Sequence, residues 1–127
     1  MNTDFTFTNL VEAAKKEQWD IMDAQIPNFC NNEKIIYWSL QEGFEDENAN
    51  VRDLAVSLLE KSKYELQDDD KTKLHTALEN DENVYVQFRA AFTLYNRGDR
   101  SEDVMNKMNE ALDNTEVKEI AEKYLSQ

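Results

Sequence analysis

Apolar positions recur at helical spacing along most of the chain. Val51, Leu54, Ala55, Leu58 and Leu59 fall at i, i+3, i+4, i+7 and i+8, which places them on one helix face. Trp38, Leu40, Gly43 and Phe44 line a preceding helix, and Leu74, Ala77 and Leu78 line one further on. The pattern predicts units made of a helix, a short acidic turn and a second helix. Asn32, Asp70, Asn83 and Ser101 have the short polar side chains that cap helix N-termini. Gly98 stands where a left-handed residue ends a helix. The first thirty residues are less regular. Thr8 or Asn9 is expected to cap a helix running through Lys16, with Leu10, Val11 and Ala14 facing inward. A second helix is expected from about Gln18 to Ile26, burying Trp19, Met22 and Ile26, with Pro27 ending it.

The units repeat. Asp46-Glu47-Asn48 recurs as Asp81-Glu82-Asn83, and the same offset carries Val51 onto Val86, Ala55 onto Ala90 and Leu59 onto Leu94. Val117, Ala121 and Leu125 repeat the spacing a third time, after a shorter turn. A fixed period of helix pairs is the mark of a stacked array whose units bury their apolar faces on one another. The expected fold is all-α: a short right-handed α-solenoid of about four helix hairpins in a single domain, 1–127. Residues 1–30 form an atypical capping hairpin in this reading, and 32–64, 68–98 and 101–127 are the repeats.

The run from Asp46 through Val51, Arg52 and Ala55 to Leu59 resembles the HEAT and HEAT-like (phycobilin-lyase-type) repeat family. That pattern has an Asp in the turn, Val-Arg five and six residues later, then Ala and Leu on the second helix. Asp81, Val86, Ala90 and Leu94 look the same, with Gln87 at the Arg position, and the third copy lacks the turn Asp. The resemblance covers roughly residues 32–127. It implies that Asp46, Val51, Arg52, Asp81 and Val86 are structural, tying each turn to its second helix. It leaves function open among scaffolds, adaptors, inhibitors and chromophore-lyase subunits.

Composition narrows the function classes. The chain of 127 residues has two glycines and one proline, too few for a sandwich or barrel with a turn every 8–12 residues. Twenty-seven acids against 14 Lys and Arg give a net charge of −13, which argues against gripping a phosphate backbone. No apolar run approaches the ~20 residues of a membrane span. Met1–Leu10 has no basic region followed by an apolar stretch, so no secretory leader is expected there. One cysteine allows no internal disulfide, and a cytoplasmic location is expected. The charge has no acidic tail. It gathers at turns, as at Glu45–Glu47 and Asp81–Glu82 on one edge and Asp68–Asp70 and Asp99–Asp103 on the other. Such edges attract a basic partner, mimic duplex phosphates, or simply keep the protein soluble.

Phe88, Phe92 and Tyr95 carry the sharpest functional signal. They lie at i, i+4 and i+7, where the neighbouring units have Asp53, Ser57 and Glu60, or Glu119 and Lys123. In a regular stack they form an exposed aromatic ridge with Arg89, Thr93 and Asn96 as its polar margin, a binding surface. The alternative is that the irregular N-terminal pair or an extra turn covers them. His75 has no second His or Cys at ligand spacing, and Cys30 has no cationic neighbour to activate it. Asp68-Asp69-Asp70 reads as a solvated helix start and lacks the pattern of a calcium loop. No catalytic residue, metal site or cofactor is expected. The expected function is a non-catalytic protein-binding module, a scaffold or adaptor engaging a protein partner, basic by preference, through the concave face of the second helices. Direct nucleic-acid and membrane binding are not expected, and the oligomeric state is left open. Two further readings stand beside it: a tetrapyrrole chromophore lyase or isomerase subunit, implied by the resemblance, and an acidic nucleic-acid mimic that inhibits a DNA-binding protein.

Overall fold

A computed structural model of the chain describes residues 5–126, and among them lie eight α-helices, one 3-10 turn and no strand. Met1–Asp4, part of the segment read for a leader and of the expected capping hairpin, and Gln127 lie outside the described residues. The chain divides into two compact units, one up to Tyr64 and one from Glu65 onward. The division falls between the second and third expected helix pairs.

The first unit holds α1 (Phe7–Lys15), α2 (Trp19–Phe29), α3 (Glu33–Gln41), a 3-10 turn (Gly43–Glu45) and α4 (Ala49–Lys61). Thr6 caps α1: its hydroxyl accepts from the Asn9 amide, and the Asn9 side chain accepts from the Thr6 amide. The helix therefore starts earlier than expected, and Asn9 is the returning half of the cap. Glu17 closes it with φ +58, a left-handed conformation unusual for a side-chain-bearing residue. Pro27 does not end α2, which runs to Phe29. The ring removes only its own donor, and the Cys30 amide still reaches the Ile26 carbonyl at 3.0 Å. Trp19, expected inside, is exposed, while Met22 and Ile26 are buried. They join Leu10, Ala13, Ala14, Cys30, Ile35, Leu54 and Leu58 in one core, bordered by Phe7, Phe29 and Trp38.

Polar detail shapes this unit too. Ser39 is fully buried and its hydroxyl has no hydrogen-bond partner. An unmade buried hydrogen bond is a cost, so Ser39→Ala is expected to raise the stability by about 1 kcal/mol in chemical denaturation. A loss of stability on that substitution would show that the hydroxyl is satisfied in solution.

The second unit holds α5 (Asp68–Asn80), α6 (Val84–Asn96), α7 (Glu102–Leu112) and α8 (Lys118–Leu125). The central helix is α6, packed against α5, α7 and α8. Asp70 is the third residue of α5 and not its cap: its carboxylate accepts from the Gln67 amide at 2.9 Å. Asn83 caps α6 as expected, whereas Ser101 stands at the N-cap position of α7 but its hydroxyl makes no cap bond to the helix amides. Gly98 has φ +94 and ends α6 through its amide bond to the Tyr95 carbonyl. In the last helix Ala121 and Tyr124 are buried, whereas Leu125 is half-buried.

Candidate functional site

The first unit carries an open groove. The sequence Ile35-Ile36-Tyr37-Trp38 is apolar around a full helical turn, so α3 cannot hide every one of these side chains in a single core. Ile35 and Trp38 turn to the core, and Tyr37 is left 68% exposed. Along the same side of α3, Glu33, Ile36, Tyr37 and Leu40 line a cavity of ≈ 500 Å³ together with Cys30, Asn31, Lys63 and Tyr64. Its far wall is pinned. The Asn31 side chain accepts from the Lys63 amide at 2.8 Å, tying the chain after α4 to the α2–α3 connection. The buried Cys30 thiol donates toward the Lys61 carbonyl at 3.5 Å and the Pro27 carbonyl at 3.9 Å. It acts as a packed group with its hydrogen occupied.

The second unit contains an imidazole held on both sides. His75 Nδ1 lies 2.6 Å from Asp103 Oδ2, and its Nε2 lies 2.8 Å from Asp99 Oδ2. A neutral imidazole donates from one nitrogen only, so two carboxylate acceptors at these distances call for the imidazolium. Partial burial works against that charge. The hydrogen bonds and negative charges of Asp103 and Asp99 outweigh it, and the His75 pKa is raised above 6.5. Burial likewise opposes ionisation of Asp103, but bonds from His75 and Ser101 bring its pKa down to about 2. Asp99 is lowered too, against partial burial, by bonds from Ser101 and His75. The Ser101 hydroxyl stands 2.6 Å from Asp99 Oδ1 and 2.8 Å from Asp103 Oδ1, between the two acids. Among the described residues no His, Cys, Asp and Glu group is arranged to hold a metal ion.

The aromatic ridge is corrected. Phe88, Phe92 and Tyr95 are 4%, 0% and 8% exposed, and Thr93 is fully buried. Each ring has a neighbour within its own unit. Tyr124 of α8 packs on Phe92 with centroids 5.6 Å apart. The Lys107 ammonium lies 5.9 Å over the Phe88 ring, and the Arg100 guanidinium 3.5 Å over the Tyr95 ring. The three rings are therefore packed side chains of the second unit and do not form the exposed ridge expected from regular stacking. The Thr93 hydroxyl is turned back to the Arg89 carbonyl at 2.8 Å. Arg89 is half-buried, and Asn96 is the exposed member of the set.

The repeat residues are found at two equivalent turns. Asp46 Oδ1 accepts from the Asn48 amide and Asp81 Oδ1 from the Asn83 amide, both at 2.8 Å. Asn48 then caps α4 by accepting from Asn50 and Val51, and Asn83 caps α6 by accepting from Tyr85 and Val86. Arg52 Nη1 donates to the Asp46 carbonyl at 2.8 Å, and Gln87 Nε2 donates to the Asp81 carbonyl at 2.6 Å. Gln87 thus performs the bond of the arginine it replaces. Val51 and Val86 are buried.

Compared with protein-family models, with curated proteins and with solved structures, the chain matches none. Among the described residues no helix is long and apolar enough to cross a membrane. Sequence reasoning missed both the groove and the His75 cluster. The all-round apolar run at 35–38 is an available signal for the groove. For His75 the signal is weaker: an Asp-x-Ser-x-Asp run at 99–103, more than twenty residues away.

Proposed function

We propose that this protein is a non-catalytic binding module whose α3 groove takes an apolar side chain from a basic segment of a protein partner. The observation that carries this reading is Tyr37, a large aromatic left exposed at the mouth of an apolar depression walled by Ile36 and Leu40. The volume is within the ~300–1,000 Å³ of ordinary binding pockets. Charge complementarity selects the occupant. The lining holds one base, Lys63, and one acid, Glu33, and the net charge of −13 on the whole chain tips the preference toward a basic segment. A Lys or Arg beside the apolar anchor meets that carboxylate. Two engaged groups support a non-catalytic role: the only histidine has both ring nitrogens on carboxylates, and the only thiol is buried. We infer further that the helix pairs are HEAT-like repeats of a short right-handed solenoid, on the support of the matched turns at Asp46 and Asp81. A lone reduced thiol suits a cytoplasmic location.

Selection from a displayed random-peptide library tests the groove, with the Tyr37→Arg protein as counter-screen. Enriched peptides are expected to pair an aromatic or aliphatic residue with Lys or Arg and to bind on the order of micromolar. They should lose at least tenfold in affinity to Tyr37→Arg and weaken as salt rises. Enrichment that is indifferent to Tyr37, or selects acidic peptides, overturns the proposal.

A further inference from the structure

The His75 cluster joins parts of the second unit that are far apart in sequence. His75 is in α5, Asp99 is in the α6–α7 connection and Asp103 is in the first turn of α7. The imidazole is the only side chain between them that can donate to both acids at once, because the Ser101 hydroxyl has a single proton.

We propose that His75 is a pH-operated clasp that holds α5 to the start of α7 when protonated and releases the Asp99–Asp103 segment when neutral. Loss of the proton leaves a nitrogen lone pair facing a carboxylate oxygen at 2.6 or 2.8 Å. Two acceptors do not remain at that distance, so one acid swings away. The other two-sided contact in the cluster, the Ser101 hydroxyl between Asp99 and Asp103, then loses its geometry as well.

The surrounding charges leave His75 in control. On α5 itself, Lys71 and Glu79 lie one turn to either side. The only charged residue within α6 is Arg89, with Arg97 at its C-terminal end. Arg100, next to Asp99, gives Nη1 to the Tyr95 carbonyl at 2.7 Å and to the Asp99 carbonyl at 3.2 Å. On α7, Glu102 is exposed, and Lys107 is taken by Glu110 and the Gln87 side chain, both at 2.9 Å. The direct ionic partners of the ring are therefore Asp99 and Asp103.

The sign follows from the directions of the shifts. A histidine with a raised folded-state pKa contributes fully below its unfolded value near 6.5, and the contribution is lost as pH rises through the folded value. The acids are lowered, so theirs is present above roughly 4 and is lost as pH falls, for Asp103 toward about 2. The clasp is fully closed between those limits and opens on the alkaline side.

The chain has one histidine, so its imidazole proton resonances assign themselves. Nuclear magnetic resonance of the full-length protein from pH 5 to 9 is expected to give a His75 midpoint above 6.5. The Asp99–Asp103 amides should move with the same midpoint, and Asp103→Asn and Asp99→Asn should each lower it. In His75→Gln the amide titration disappears, together with the fall in melting temperature above the midpoint. A midpoint at or below 6.5, or amides at 99–103 that ignore it, overturns the clasp. The wild-type titration decides the matter even if a variant folds poorly.

Discussion

Phe92→Ala is expected to lower the unfolding free energy by about 3–5 kcal/mol, the usual cost of removing a buried phenylalanine. The ring is fully buried on the central helix of the second unit, packed against Tyr124. Its removal leaves a cavity that α6 and α8 close only in part, because both are held by their other neighbours. Urea denaturation of wild type and variant measures the effect. A phenylalanine on a solvent-facing ridge would change stability by about 0.5 kcal/mol or less. The size of the loss therefore separates a core role from a docking role for this residue. The same comparison extends to Phe88, whose ring lies beneath the Lys107 ammonium.

Gly43→Ala is expected to destabilise the protein by about 1–3 kcal/mol through overpacking. Gly43 begins the 3-10 turn between α3 and α4. A methyl group there meets the Ala55 Cβ at 2.6 Å and the Trp38 ring at 3.0 Å. Ala55 is a side chain with nowhere to swing, on a helix buried along most of its length, so the turn must move away from α4. Trp38 also packs edge-on against Phe7 at 4.8 Å between centroids, so the disturbance reaches α1. The denaturation midpoint of Gly43→Ala checks this, and a value unchanged from wild type would mean that the turn is not in close contact with α4.

Periodicity makes the helices legible in the sequence. Val51, Leu54, Ala55, Leu58 and Leu59 are buried together on α4, as their spacing requires. The repeated Asp-x-Asn turns are legible as well: a short polar side chain immediately before a helix start, with another two residues ahead of it, has few other uses. Even the Gln87 departure preserves its hydrogen bond, because the turn needs a donor aimed at the Asp81 carbonyl and the charge is secondary. What escapes the sequence depends on packing between elements. Phe88, Phe92 and Tyr95 look exposed when equal neighbours are assumed, whereas the final pair supplies Lys107 and Tyr124 to cover Phe88 and Phe92, and Arg100 covers Tyr95. Pro27 looks like a stop because local chemistry disfavours it inside a helix, but in the last turn it forfeits little. The His75 cluster is invisible for a different reason. Its acids are brought to the ring by the α6–α7 connection, and no local spacing encodes that approach. The candidate groove is hidden in part: the apolar run at 35–38 marks one wall, but the chain after α4 is pinned beside α3 by Asn31, a residue with no distinguishing motif around it.

The groove and the aromatic helix α6 are rival locations for the binding surface, and they lie in different units. Amide chemical-shift mapping of the labelled full-length protein with a selected basic peptide distinguishes them directly. The proposed function predicts the largest shifts at Glu33, Ile36, Tyr37, Leu40, Lys63 and Tyr64, saturating with a single binding constant and absent in Tyr37→Arg. Shifts that leave these residues still and centre on Arg89, Asn96 and the neighbouring turns of α6 would contradict it.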